Sequence, residues 1–349
     1  VTLSAPVIDP LDALLAGADR RSLRVGLAVP SSGPMGLTGP AAMACALLAA
    51  EDANTCRSHA DQPLDLVPID AGRDPEDVAR EVASLVAARA IDTLVGFHTS
   101  DVHRRLDAAV QGRLPYVFTP PHEGGKRSCG VVLLGEGPRE QLRPVVERLV
   151  SRTRLRRWAL VGNDYIWPRA VHAAAGALIH RAGGDVVLQR LVPFGAVPAE
   201  QLIQEMSRER VDAVLLSLVG RDLATFNRGF TRTPAGHRIV RVSGSLDETG
   251  LLEANGDSTG ELYAAMHWFA TDRQSEEFQD RYRQRWGPTA PTVSVYAQGC
   301  YEGVQLVSRL ARAGALNPGA VTRAAAHLRP RRPRVRLARA EGLDLVALR

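Results

Sequence analysis

The segment Phe97-His-Thr-Ser-Asp101 sets an imidazole, a hydroxyl and a carboxylate close together in sequence, and such a set could supply a nucleophile and its base. It comes directly after the apolar run Thr93-Leu-Val-Gly96, so His98 and Ser100 leave a strand end two residues apart in a loop. No third group nearby orients either of them, and hydrogen bonding to a bound molecule suits them better than nucleophilic catalysis. A second stretch, Gly162-Asn-Asp-Tyr-Ile-Trp-Pro-Arg169, succeeds the buried-strand pattern Trp158-Ala-Leu-Val161. Open α/β sheets take ligands outside the carboxyl ends of their strands, which places Tyr165 and Trp167 to face one. The same two rings would serve equally well as packing against neighbouring loops. Elsewhere there is no GxSxG elbow, HExxH, Walker loop or GxGxxG in strand-turn-helix context. The four cysteines, Cys45, Cys56, Cys129 and Cys300, form no CxxC pair and no metal-ligand spacing with histidine. The expectation is a protein with no catalytic residues, no metal and no cofactor, whose thiols are reduced, with a structural disulfide left open.

The elements that must position these residues alternate regularly. Strands are expected at Leu23–Val29, Leu64–Ile69, Thr93–Gly96, Pro115–Phe118 and Val131–Leu134, separated by helices, with Asp74 or a neighbour capping the helix from Pro75. After Pro138 the alternation restarts, with strands at Trp158–Val161, Val186–Val192, Ala213–Ser217, Ile239–Val242 and Leu262–His267. A hairpin is expected near the carboxyl end, around Glu341-Gly342. This is an α/β pattern of mostly parallel sheets flanked by crossover helices, in two lobes. The expected division is a leader or linker over 1–22, lobe one from 23–138 plus 270–328, and lobe two from 139–269 plus 329–349. Strand-end loops carry Ser31, His98/Ser100 and Phe118/Thr119 in lobe one, and Tyr165/Trp167, Arg221 and Ser245/Asp247/Glu248 in lobe two. Such residues would line opposite walls of a cleft, as in a clamshell receptor that closes on a small ligand.

Charge adds little specificity. The formal charge of +5 rests almost wholly on arginine, Lys126 being the only lysine. The arginines are interspersed with acids until the run Leu328-Arg-Pro-Arg-Arg-Pro-Arg-Val-Arg336; a short basic run without a recognition fold is a weak signal for an anionic partner such as nucleic acid, and a solvated connection whose prolines block helix is the favoured reading. No apolar run approaches the roughly 18 residues of a membrane helix, and Val1–Ser22 lacks the pattern of an export signal. Val in place of Met at position 1 fits a GTG start or a chain shortened from a longer one. The expected location is cytoplasmic for the chain as it stands, and extracytoplasmic if it has been shortened. Oligomeric state is open, a homo-oligomer included.

Four pieces carry a family resemblance: Val25-Gly-Leu-Ala-Val-Pro-Ser-Ser-Gly-Pro34, Val95-Gly-Phe-His-Thr-Ser100, Thr119-Pro-Pro-His-Glu-Gly124 and Gly162-Asn-Asp-Tyr-Ile-Trp-Pro-Arg169. In this order they resemble the type I periplasmic-binding-protein family, over about residues 23 to 315. The Gly-x-Asp-Tyr-x-x-Pro-Arg piece is similar to the branch of amide and urea receptors, which includes the amide sensor of the aliphatic amidase operon and urea-binding components of ABC transporters; the other pieces are shared with branched-chain amino-acid receptors. The resemblance implies a pocket serine at Ser100 and a pocket segment spanning Phe118, Thr119, Pro120 and His122. It further implies aromatic cover from Tyr165 and Trp167 and a polar loop near Ser245 to Glu248. His98 and His122 stand where the amide sensor has tyrosines, the order Thr119-Pro120 is inverted, and the carboxyl end is shorter. The resemblance thus leads to the expectation of a non-catalytic receptor for a small amide, urea or similar solute, signalling its state to a regulatory protein or an ABC permease. The alternatives are a transporter's amino-acid-binding protein and, less favoured, an amide hydrolase.

Overall fold

The structure, a computed structural model, describes residues 6–18, 22–56, 62–153 and 155–348. Of the leader expected over 1–22, residues 1–5 and 19–21 lie outside them. Helix α1 (Pro10–Ala16) and strand β1 (Leu23–Val29) lead into α2 (Gly39–Thr55), β2 (Leu64–Asp70), α3 (Pro75–Ala87), β3 (Thr93–Gly96), α4 (Ser100–Val110), β4 (Tyr116–Phe118) and β5 (Val131–Leu133). Next come α5 (Pro138–Thr153), β6 (Arg157–Asn163), α6 (Ile166–Arg181), β7 (Asp185–Val192), α7 (Ala199–Arg208), β8 (Ala213–Ser217), α8 (Gly220–Thr231), β9 (Val240–Ser243), α9 (Glu248–Glu253) and β10 (Leu262–Met266). The chain closes with α10 (Glu276–Trp286), α11 (Val295–Arg312), α12 (Pro318–Leu328), β11 (Arg336–Glu341) and β12 (Asp344–Ala347).

These elements make two compact units. The first holds the described residues of Val1–Pro120, Gly125–Gly135 and Tyr282–Arg331, and the second those of Pro121–Gly124, Glu136–Arg281 and Arg332–Arg349. Residues 270–281, expected with the first lobe, belong to the second unit. Ala270 N–H donates to Glu248 at 2.7 Å, Thr271 Oγ1 to the Leu345 carbonyl at 2.5 Å, and Arg336 pairs with Asp272 at 2.5 Å. Those bonds tie the segment to α9 and to the terminal hairpin.

In the first unit a parallel sheet runs β2-β1-β3-β4-β5. The run Leu23–Val29 is apolar almost throughout because both faces of its strand are covered. Val25, Leu27 and Val29 pack with Ala42, Ala46 and Ala49 of α2 and Val304 of α11. Ala28 joins Ile69, Val82 and Leu106 on the other side. Gly303 lets α11 lie directly on the sheet, for a Cβ there would stand 2.8 Å from Val95 and 2.9 Å from Thr119. Helix α3 starts where expected: Asp74 accepts from Glu76 N–H and Pro75 opens the first turn.

In the second unit the order is β12-β11-β10-β9-β8-β6-β7. Strands β6 to β10 are parallel, and β11 and β12 add an antiparallel hairpin, matching the one expected around Glu341-Gly342. Gly342 turns it at φ +66°, a left-handed value that costs glycine nothing.

Candidate functional site

In the first unit the strand-end residues divide into those turned inward and those left at the edge. Asp70, at the end of β2, gathers the N–H groups of Ser31, Ser32 and Gly72 on one oxygen at 2.9, 3.2 and 2.9 Å. Its burial would raise the carboxyl pKa, but these hydrogen bonds outweigh that and hold it below the usual value. Ser31 is therefore part of an exposed, carboxylate-pinned turn. His98 is buried, with Nδ1 3.1 Å from the Thr99 carbonyl and Nε2 3.1 Å from Tyr116 Oη. Burial drives its pKa down to about 4 against the Thr99 contact, which raises it, so the ring is neutral at pH 7. Phe118 is fully buried, its ring centroid 4.0 Å from that of His103, and Thr119 Oγ1 donates to the Gly96 carbonyl at 3.2 Å. Phe118 and Thr119 are thus core and sheet-bracing residues, because β4 is buried on both faces. Ser100, 2% exposed, is the first residue of α4. Pro120 is buried where the first segment of the unit ends.

In the second unit His122 accepts from Gly124 N–H at 3.0 Å. Tyr165 and Trp167 do come together, with ring centroids 6.5 Å apart, and Phe194 joins Tyr165 at 5.1 Å. Helix α6 can start so close to β6 because Gly162 has no side chain: a Cβ there would stand 2.2 Å from Ser217 Oγ and 2.8 Å from Pro168. Asn163 and Asp222 brace the same edge, bonded to each other at 2.6 Å and to the N–H groups of Val219 and Gly195 at 2.9 Å each. Ser245 Oγ donates to the Leu218 carbonyl at 2.6 Å, and Asp247 caps α9 by accepting from Gly250 N–H at 2.7 Å. Arg221 points to solvent, its side chain 72% exposed and 3.7 Å from Glu253. These are local structural duties within the second unit.

Several buried polar atoms have no hydrogen-bond partner among the described residues, and four of them belong to residues at one strand-end edge of the second unit, of which Trp167 and Glu248 are legible in the sequence as strand-end residues. They are Trp167 Nε1, Glu248 Oε2, Thr249 Oγ1 and His267 Nε2. They stand just beyond β6, β9 and β10, at the carboxyl edge of one sheet. Unsatisfied buried groups cost about 1 to 3 kcal/mol each, and a solute that hydrogen-bonded to these four would remove that cost. Glu248 is 6% exposed. Burial raises its carboxyl pKa to about 8, the Ala270 N–H bond opposes this, and Asp247 and Asp272 push it further up. The signal for Glu248 is its place in the strand-end loop Ser243–Glu248; for His267 it is the end of the run Leu262–His267.

No helix among the described residues is long and apolar enough to cross a membrane. The family described as "Periplasmic binding protein" matches residues 22–337. Among solved structures, a periplasmic binding protein from Burkholderia mallei shares 13% identity at a TM-score of 0.82, covering 94% of each chain. The branched-chain amino acid transporter substrate-binding protein of Streptococcus pneumoniae, in complex with isoleucine, shares 15% at 0.77, covering 94% of this chain and 99% of its own. A solute-binding protein of an ABC transporter from R. palustris, in complex with benzoate, shares 16% at 0.76, covering 94% and 95%. Sequence match over nearly the whole chain and the fold agree, and the chain belongs to the periplasmic binding protein family.

Proposed function

We propose that this protein is a non-catalytic receptor for a small polar solute with a carboxamide or urea group, read by a partner that distinguishes its loaded and empty forms. The observation that carries the reading is Glu248: one oxygen accepts from Ala270 N–H at 2.7 Å, the other has no partner among the described residues, and Asp247 and Asp272 beside it share its sign. With its pKa near 8 the group is protonated at neutral pH. A neutral carboxyl offers a donor and an acceptor side by side, the complement of an amide or urea edge. Trp167 Nε1 adds a donor for a carbonyl oxygen.

The second reading is an amino-acid receptor of an ABC transporter. The Asp247–Glu248 pair favours it, since an ammonium group placed there would hold Glu248 ionised. The two readings have opposite pH dependence. An amide needs the protonated acid, so its affinity falls as pH rises through about 8; an ammonium ligand needs the carboxylate, so its affinity rises toward that pH. A thermal-shift screen of acetamide, urea and L-isoleucine at pH 6.5 and 9.5 separates them.

Turnover is not part of the proposal. The nearest serine–histidine contact, Ser217 Oγ to His172 Nε2 at 3.0 Å, lacks an orienting group, for His172 Nδ1 has no partner among the described residues. Incubation with acetamide or urea should release no ammonia; release that disappears in Ser100→Ala would make the protein an enzyme. The partner that fits the transporter neighbours is a permease, and the one that fits an amide sensor is a regulatory protein.

A further inference from the structure

Behind the loop that carries Ser100 runs an unbroken series of hydrogen bonds within the first unit. Arg127 Nε donates to His103 Nε2 at 2.6 Å, His103 Nδ1 lies 2.8 Å from Tyr116 Oη, Tyr116 Oη lies 3.1 Å from His98 Nε2, and His98 Nδ1 lies 3.1 Å from the Thr99 carbonyl. The two ends fix its direction, because a guanidinium only donates and a carbonyl only accepts. His103 must therefore carry its proton on Nδ1 and give it to Tyr116 Oη, Tyr116 must donate to His98 Nε2, and His98 must carry its proton on Nδ1. The reverse order would face two N–H groups at Arg127 and two acceptors at Thr99.

The packing is built around this series. His98, His103 and Tyr116 are buried, and the Phe118 ring lies against the imidazoles of His103 and His98 at 4.0 and 5.1 Å. Gly96 clears the space, since a Cβ there would stand 2.5 Å from His98 Nε2. The Thr99 carbonyl also accepts from His103 N–H at 3.0 Å, the first turn of α4. The series thus ends on the carbonyl that starts the helix and adjoins Ser100.

We infer that Arg127, His103 and Tyr116 are positioning residues that lock His98 as its Nδ1–H tautomer and so hold the Thr99–Ser100 turn in place for the solute. Only the last step rests on the receptor reading of Ser100. The test uses the free protein labelled with 15N-histidine. Long-range 15N–1H correlation at pH 7 should show both His98 and His103 protonated on Nδ1, and an Nε2–H form at either would overturn the assignment. Tyr116→Phe keeps the ring and removes the oxygen. It should mix the His98 tautomers and speed exchange of the His103 amide by about tenfold, the equilibrium effect of one lost buried hydrogen bond, with β1 amides unchanged. A fixed His98 tautomer and unchanged His103 exchange in this variant would contradict positioning. If it does not fold, Arg127→Leu at the half-buried end should release the His103 tautomer, and an unaltered one counts against the proposal. None of these readouts needs a ligand, so failure of the receptor reading, seen as no binding of acetamide, urea or L-isoleucine, is distinguishable from failure of the relay.

Discussion

Trp167 shows how a single atom separates a packing role from a binding one. Its ring is 4% exposed and its N–H has no acceptor among the described residues, so the fold by itself bears the cost of an unmade hydrogen bond. Trp167→Phe should leave the melting temperature nearly unchanged, because relief of that cost offsets the smaller ring, while calorimetry should show solute affinity reduced about tenfold. A large loss of stability with unchanged affinity would make Trp167 a core residue. Glu248 gives a pH signature. Its folded pKa of about 8 exceeds the ordinary 4.5, so the folded state binds more protons between those values and its contribution to stability, full below 4.5, is lost as pH rises through 8. Glu248→Gln should therefore gain stability relative to the wild type as pH is raised from about 5 to 8, measured by melting at each pH; a flat difference would mean that Glu248 titrates normally. His98 and Phe118 are legible in the sequence only as strand-end residues. Which way they face depends on Tyr116 and His103, which no local pattern connects to them.

Among the elements, alternation and caps make most of the fold legible. The expected strands of both units form, since runs such as Leu23–Val29 and Ala213–Ser217 owe their apolar character to burial on two faces. Helix α12 is absent from the expected elements although Asn317 caps it and Pro318 opens its first turn; the proline-punctuated run beyond it masks the pattern. Helix α9 is absent from the expected elements, beginning at the last residue of the expected loop Ser243–Glu248, because its six residues are too few to show a period. The junction of β6 and α6 depends on Gly162. Gly162→Ala forces a methyl into Ser217 Oγ and Pro168, and overpacking of this kind should cost about 1 to 3 kcal/mol in urea unfolding. Because the strain falls on the turn holding Tyr165 and Trp167, solute affinity should drop with it. Full affinity in a destabilised variant would detach that turn from the site.

Across the whole molecule, the chain passes between its units near residues 120–136, at 281/282 and at 331/332. No short window of sequence reveals the second of these passages, which is fixed by long-range bonds from Thr271 and Asp272 to the terminal hairpin. A receptor built this way is stabilised by whatever solute it holds, by about 2.7 kcal/mol at 100 times the dissociation constant. The receptor reading is tested most sharply by isothermal titration of acetamide, urea and L-isoleucine into the wild type, Glu248→Gln and Glu248→Ala at pH 7. Glutamine keeps one donor and one acceptor where the neutral acid has them, whereas alanine keeps neither. Single-site binding of an amide or urea should survive in Glu248→Gln and fall about tenfold or more in Glu248→Ala. Binding of L-isoleucine alone, abolished by both substitutions, would show instead that Glu248 serves as a carboxylate for an ammonium group.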